Sequence, residues 1–112
     1  MTLEAEIILL HQHICPAMGD PKRMLLLYLL ADSDQTVSQL TTTLRWPQST
    51  VSRHLAVLRE NRLVNTQRQG TSVVYSLADR RIISALDIMR QVLNQQLSDR
   101  TVEAALILNP NP

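Results

Sequence analysis

The sequence predicts a mainly α-helical domain with a small β-hairpin, an α+β class, and two observations lead to this prediction. The first is a series of apolar stripes at helical spacing, of which Val51, Leu55 and Leu58 form the clearest. The second is a stretch in which Leu63, Val73 and Tyr75 supply apolar positions on the two sides of a turn signal at Gly70, the pattern of a two-stranded hairpin. With 112 residues, the chain can bury one modest core. We therefore predict a single domain over residues 1–108 and a frayed tail over 109–112.

Two helices are predicted within the first 31 residues. The first covers about residues 2–15 and ends at Pro16, which cannot continue a helix. The second begins after Asp20, whose carboxylate suits an N-cap, and runs over about residues 21–31. This second helix is apolar on nearly all sides, so we expect it to be central and buried.

A pair of short helices joined by a tight turn is predicted over about residues 36–61. Thr36 and Gln39 have the spacing of a capping box, and the helix that they start extends to about Leu44. Arg45-Trp46-Pro47 then forms the turn into a helix that extends to Asn61. Two helices arranged in this way, the second polar at its start, form a helix-turn-helix.

The second helix of this pair is polar in its first two turns. Its side chains there are short hydrogen-bonding groups and one guanidinium, and the opposite face is the apolar stripe. Such a helix fits the DNA major groove, where these groups reach base edges and phosphates. We therefore predict that double-stranded DNA is bound by Gln48, Ser49, Thr50, Ser52 and Arg53.

The hairpin is predicted over about residues 62–77. An isolated hairpin is marginally stable in water, so it must pack against the helices. A helix-turn-helix followed by a hairpin is a winged helix. Residues 68–71, at the tip of this hairpin, are the predicted wing contacts with DNA: Arg68, Gln69, Gly70 and Thr71.

A long final helix is predicted over about residues 79–97, with Asp79 as its cap, and a short further helix within 98–108. The apolar stripe of the long helix is wider than a small domain needs to cover its own core. A surplus stripe on a terminal helix is typical of dimerisation. We predict a homodimer formed through the first and last helices. The predicted interface residues are Ile7, Leu10, Ile14, Ile82, Leu86, Met89 and Leu93.

The formal net charge of +1 is unevenly distributed along the chain. Residues 1–44 hold two cations and five anions, a balance of −3, whereas residues 45–81 hold seven arginines and two anions, a balance of +5. Positive charge therefore surrounds the helix-turn-helix and the hairpin, as phosphate binding requires. Arginine is also the side chain whose planar fork best matches phosphate and guanine.

Composition argues against several other classes of protein. One cysteine permits no internal disulfide, and no apolar run approaches about 18 residues, so we expect a cytoplasmic protein with no membrane partner. Only two glycines are present, and we find neither a phosphate loop nor a nucleophile–base constellation. We predict that the protein is not an enzyme and needs no cofactor.

Three stretches resemble the ArsR/SmtB (arsenic-repressor) family of bacterial winged-helix regulators: AMGDPKRMLLLYLLA, VSQLTTTLRWPQSTVSRHLAVLRENRLV and RQGTSVVYSLAD. The resemblance is close over about residues 17–79. It implies a homodimer that represses transcription from an inverted-repeat operator and is released by a ligand or by oxidation. Position by position, it assigns DNA contacts to the polar start of the second helix of the pair and to the wing.

Two positions of this sequence depart from the family's pattern, and a third matches it. Arg45 stands where the family commonly has glycine, so an arginine is expected in a left-handed conformation. Pro47 replaces a common serine cap. His54 matches a usual family position, and the sequence is equally consistent with a phosphate contact and with a semi-buried histidine bonded to the backbone.

The sensing sites of the family are largely missing. The stretch matching its third-helix site has no cysteine, and residues 79–97 have no histidine. His11 and Cys15 share a helix face and could bind a metal only with further ligands from a partner chain, such as Asp99 or Glu103. A cysteine at a helix C-terminus is also unfavourable as a thiolate. We predict no metal site, with a metal sensor at these two residues as the alternative.

Another class of function also fits the pattern. A winged helix can act as a protein-interaction or architectural DNA-binding module that has no effector. Selective binding to DNA upstream of its own gene would distinguish a regulator from this alternative. For a regulator without the family's metal sites, the effector would be a small molecule or a partner protein.

Overall fold

The structure is a computed structural model that describes residues 1–99 and residue 107. The chain divides into two compact units, Met1–Arg80 and Arg81–Pro112. The helices are α1 (Leu3–His13), α2 (Cys15–Met18), α3 (Pro21–Asp32), α4 (Val37–Leu44), α5 (Gln48–Glu60) and α6 (Arg81–Ser98), and the strands are β1 (Gln35–Thr36), β2 (Val64–Gln69) and β3 (Ser72–Leu77). None of the helices in the described part of the chain has the length and apolar character needed to cross a membrane.

The N-terminal segment contains two helices where the sequence predicted one over residues 2–15. Thr2 caps α1 as expected, and its Oγ1 accepts a hydrogen bond from the Ala5 N–H at 3.2 Å. Pro16, however, lies in the first turn of α2 rather than after the end of a helix. Proline lacks the N–H that would continue the helical ladder, but it is well tolerated in a first turn, where that N–H has no helical partner. The proline therefore separates two helices.

Helix α3 supplies much of the core of the first unit. Its cap is Asp20, whose carboxylate accepts a hydrogen bond from the Lys22 N–H at 2.8 Å, as the sequence predicted. The helix is central, although its face carrying Leu25 is exposed. The buried apolar residues of the described chain are Ala17, Leu26, Leu27, Leu30, Leu40, Val51, Leu55, Leu58, Leu63 and Val64.

Helices α4 and α5 form the predicted helix-turn-helix. The capping box at the start of α4 is present: the Gln39 N–H donates to Thr36 Oγ1, and the Thr36 N–H donates to Gln39 Oε1. Arg45 has φ 59° and ψ 31°, the left-handed conformation expected of it. Pro47 lies just outside α5 as its N-cap and provides no side-chain cap.

The sheet has three antiparallel strands in the order β1-β3-β2, one more than the predicted hairpin. The β2–β3 ladder runs from Val64 opposite Leu77 to Gln69 opposite Ser72. The additional strand β1 is two residues long and pairs Gln35 with Tyr75. A segment this short carries no alternating pattern, so only its pairing with β3 reveals it.

Helix α6 forms the described part of the second unit. It begins at Arg81, two residues after Asp79, the predicted cap. The helix exposes a series of large apolar side chains: Ile88, Met89, Val92 and Leu93. The short helix predicted within 98–108 and the tail 109–112 lie almost wholly outside the described residues.

Candidate nucleic-acid interface

Helix α5 has one buried face and one exposed polar face. Val51, Leu55 and Leu58 are fully buried, which fixes the apolar stripe against the core. Of the predicted base-reading residues, four are exposed and Thr50 is half-buried; the exposed ones are Gln48, Ser49, Ser52 and Arg53. Since residues three and four positions apart share a helix face, Ser49, Ser52 and Arg53 form one continuous outward surface. This surface can donate and accept hydrogen bonds and carries one permanent positive charge.

The predicted wing contacts lie at the exposed tip of the hairpin, at the end of β2 and in the two-residue loop before β3. Arg68, Gln69, Gly70 and Thr71 are all exposed. Gly70 has φ 62°, and a Cβ built on it would have no heavy atom within 4 Å. The glycine is therefore required by the backbone of the two-residue loop and not by a lack of space.

His54 differs from the other residues predicted to contact DNA. It is 5% exposed and lies among the core residues of α5, so it does not belong to the polar surface. Its Nδ1 lies 3.1 Å from Arg23 Nη1. The burial of the ring agrees with one interpretation left open by the sequence, a semi-buried histidine, but its partner is the Arg23 guanidinium and not the backbone. The low exposure of the ring argues against the other interpretation, a phosphate contact.

Arg23 is a residue that the sequence interpretation missed. Its Nε donates to the Ala17 carbonyl at 2.7 Å and its Nη2 to the Pro16 carbonyl at 3.0 Å. An arginine on an otherwise apolar, central helix must find acceptors, and this was the available signal. The acceptors themselves lie on α2 and α5, so the sequence alone could not name them.

Of two further cationic residues, Arg45 lies in the turn before α5, and Lys22 lies at the start of α3 and contacts this turn. Arg45 is exposed in its left-handed conformation. Lys22 Nζ lies 5.5 Å from the centroid of the Trp46 ring, a cation–π contact between the start of α3 and the turn. The polar start of α5 is thus adjacent in sequence to a cationic turn, as the charge distribution predicted.

In the described part of the chain, His11 and Cys15 do not belong to a larger cluster of potential metal ligands. His11 and Cys15 are exposed, and among residues 1–99 and 107 no group of three or more potential His, Cys, Asp or Glu ligands is present. Glu103, one of the partner ligands considered, lies outside the described residues. The position of Cys15 also differs from the prediction, because it begins α2 instead of ending α1. The argument from a helix C-terminus therefore no longer applies to its thiol.

The predicted dimer residues of α1 and its C-cap lie on an exposed apolar surface. Ile7, Leu10 and Ile14 are 54%, 48% and 37% exposed. On α6, Met89 and Leu93 are 63% and 50% exposed, whereas Ile82 and Leu86 are half-buried. Each helix thus offers apolar area to a further surface.

The helix-turn-helix, the exposed polar start of its second helix and the arginine-bearing hairpin define a winged-helix DNA-binding protein. Residues 20–66 match the family model for bacterial regulatory proteins of the arsR family. The chain is 32% identical to the transcriptional activator HlyU of Vibrio cholerae, an alignment covering 70% of this chain and 73% of HlyU. It belongs to the ArsR/SmtB family of DNA-binding transcriptional regulators.

Two other proteins illustrate the range of this similarity. The transcriptional repressor SmtB homolog of Synechocystis sp. is 38% identical over 61% of this chain and 52% of its own length. The solution structure of the homodimeric winged helix-turn-helix domain of Mb0332 from Mycobacterium bovis superposes with a TM-score of 0.74, at 22% identity, over 88% of this chain and 91% of that one. This last likeness establishes the fold.

Proposed function

We propose that the protein is a homodimeric repressor that binds an inverted-repeat operator in double-stranded DNA. The observation that carries the proposal is the exposed face of Ser49, Ser52 and Arg53 on a helix whose opposite face is fully buried. The buried stripe holds the helix against the core, and its other face enters the major groove. Side chains of this kind bind base edges there and phosphates at the groove's margin.

The wing adds a second contact with the duplex. Arg68 is exposed on the strand leading to the loop, and the loop residues beside it are small or polar. We propose that Arg68 binds a phosphate or the minor groove next to the site read by α5. A contact of this kind contributes affinity to any sequence, whereas base contacts by α5 contribute selectivity.

A homodimer is proposed from the exposed apolar side chains of α1 and α6. Large exposed apolar patches on small domains are typical of interfaces, and two-fold dimers are the commonest assembly. The Mb0332 domain, which has the same fold, is homodimeric. A two-fold dimer presents two α5 helices, which would read two half-sites about one helical turn apart, an inverted repeat.

Repression without the family's metal sites is the remaining part of the proposal. Relatives include proteins named as an activator and as a repressor. We propose repression because an operator-bound dimer blocks access to the promoter, and we propose that its effector is a small molecule or a partner protein. The described residues offer His11 and Cys15 without further ligands, so metal release is not proposed.

In vitro selection from a random pool of duplexes tests this function, followed by a footprint on the DNA upstream of the protein's own gene. We expect enrichment of one inverted repeat, with protection of both half-sites and reduced transcription from a promoter that carries it. Binding without sequence preference would contradict the proposal and favour an architectural module. Increased transcription would identify an activator instead. Adding metals and oxidants to the footprint tests the proposed lack of a metal or redox signal.

A further inference from the structure

The guanidinium of Arg23 joins three helices of the first unit. From α3 it donates to the Ala17 and Pro16 carbonyls of α2 at 2.7 and 3.0 Å, and its Nη1 lies 3.1 Å from His54 Nδ1 on α5. Ala17 and His54 are buried, and Arg23 is half-buried. One planar fork therefore holds a fixed geometry between α2 and the helix proposed to read DNA.

The contact with His54 requires a neutral imidazole ring. A guanidinium has only donors, so Nδ1 must accept and the ring proton must reside on Nε2. Burial lowers the pKa of His54 below its ordinary value of 6.5; Asp20 opposes this shift, and Arg23, Arg53 and Lys22 reinforce it. At neutral pH the ring is therefore unprotonated and the hydrogen bond can form.

The hydrogen bond acts on the rotation of α5 about its own axis. His54 is the one buried polar residue among the described residues, and it directly follows the exposed Arg53. The apolar contacts of Val51, Leu55 and Leu58 hold the helix against the core, but they are not directional. A hydrogen bond is directional, so the bond to His54 selects one rotation of the helix.

We propose that Arg23 is a positioning residue for DNA reading: through His54 it fixes the rotation of α5 and so directs Ser49, Ser52 and Arg53 toward the duplex. This inference rests on the proposed role of α5 in binding DNA. Under this proposal, the α2 carbonyls that accept from Arg23 also help to orient the polar face of α5.

Four variants separate positioning from mere stability. His54→Leu removes the acceptor but keeps an apolar side chain, whereas His54→Asn keeps an acceptor near the place of Nδ1. Arg23→Met removes the fork, and Arg23→Lys keeps the charge with a single donor group. Circular dichroism and thermal unfolding at neutral pH establish which variants fold.

Discrimination is measured as the ratio of the dissociation constants for mixed-sequence genomic DNA and for the selected duplex. We expect His54→Leu and Arg23→Met to lower this ratio about tenfold, the size of one weakened base contact, with Arg23→Lys intermediate and His54→Asn close to wild type. The salt dependence of His54→Leu should match that of wild type, because no phosphate contact is removed. Wild-type discrimination in folded His54→Leu or Arg23→Met would overturn the inference.

Acid provides a second measurement that a structural role alone would not move. As the pH falls through the lowered pKa of His54, protonation of the ring should abolish its acceptor, so wild-type discrimination should decline while that of His54→Asn stays level. Coinciding pH profiles for the two proteins would overturn the inference even if Arg23→Met fails to fold.

A measurement without DNA tests this inference independently of the proposed function. Trp46 is the one tryptophan in the chain and lies at the turn directly before α5. Its emission should change in His54→Leu but not in His54→Asn. If selection enriches no duplex, the proposed function fails, and the inference then stands or falls on this emission: unchanged emission in His54→Leu overturns it.

Discussion

The backbone N–H of Leu63 donates to the carbonyl of Leu58 at 2.9 Å, and both side chains are buried. Between them, the Arg62 N–H donates to the Arg59 carbonyl at 3.0 Å. These two bonds, with a buried leucine at each end of the longer one, form a Schellman motif that ends α5 and leads the chain into β2. The motif places Arg62 at φ 58°, a left-handed conformation that favours glycine.

Arg62→Gly should therefore raise the free energy of unfolding by about 1 kcal/mol, because relief of the left-handed strain exceeds the added flexibility of the unfolded chain. Urea unfolding followed by circular dichroism measures the change. The matched control is Arg59→Gly inside α5, which should lower the free energy of unfolding by about 1 kcal/mol. Destabilisation by both glycines would show that Arg62 is held by side-chain contacts that outweigh its strain.

Arg68 of the wing should contribute to affinity for any DNA sequence and not to selectivity. Arg68→Ala should weaken binding to the selected duplex and to random DNA alike and reduce the salt slope by roughly 1 per protomer contact, because one phosphate contact is lost. Fluorescence anisotropy over a range of salt concentrations measures both quantities. Arg90→Ala, which removes an exposed arginine of α6, is the control. A salt slope unchanged by Arg68→Ala would show that the wing does not contact DNA.

Substitutions at the proposed base contacts of α5 should lower selectivity and leave the salt slope unchanged. Ser52→Ala or Gln48→Ala should narrow the difference between the selected duplex and random DNA by about 1–3 kcal/mol, because a base-edge hydrogen bond is lost. The salt slope should stay the same, since neither residue is charged. Equal weakening on both DNAs would assign these residues to the backbone rather than to the bases.

The proposed dimer depends on an apolar seam that includes Met89. Met89→Glu should dissociate the dimer, since an unpaired charge in a buried interface costs several kcal/mol. Sedimentation velocity measures the oligomeric state, and operator affinity should fall steeply because two half-sites are no longer bound together. Gln91→Glu introduces the same charge two positions further along α6, away from the stripe, and should leave the assembly intact. A dimer that survives Met89→Glu would refute this seam.

Stability should fall in two separate acid ranges. Burial holds the pKa of His54 below 6.5, so the unfolded chain binds its proton first and stability declines as the pH falls below 6.5. The hydrogen bond from the Lys22 N–H holds the pKa of Asp20 below 3.8, so stability declines again only below 3.8. Thermal unfolding against pH should show the upper decline in wild type and not in His54→Leu. An upper decline that persists in that variant would implicate another group.

Metals and mild oxidants should leave DNA binding unchanged. The single thiol and the two exposed histidines near it form no complete ligand set among the described residues. Cys15→Ser should therefore bind the selected duplex as wild type does, with or without zinc, nickel or peroxide. Cobalt gives a direct measurement, because thiolate coordination produces a near-ultraviolet charge-transfer band. That band, lost in both His11→Ala and Cys15→Ser and accompanied by release of DNA, would establish the metal-sensing alternative.

Local chemistry allowed the sequence to predict most of the elements. The capping groups Thr2, Asp20 and Thr36 bond the backbone within three residues, so their partners are fixed by position in the chain. The left-handed Arg45 and the turn at Gly70 are also local features, and both were predicted. The stripe of α5 follows from helical periodicity alone, which is why the residues of its exposed polar face could be named individually.

Tertiary structure decided the features whose partners are distant in sequence. Strand β1 exists because Gln35 and Thr36 pair with β3 across a long separation, and two residues are too few to show a period. Pro16 could end or begin a helix, and its carbonyl accepts from Arg23 where it begins one. His54 was a candidate for a phosphate contact because it matches a usual family position, yet its ring lies on the buried side of α5 beside Arg23, 31 positions earlier in the chain. Periodicity places a residue on a face, but only the packed core supplies the buried polar partner that a histidine on that face requires.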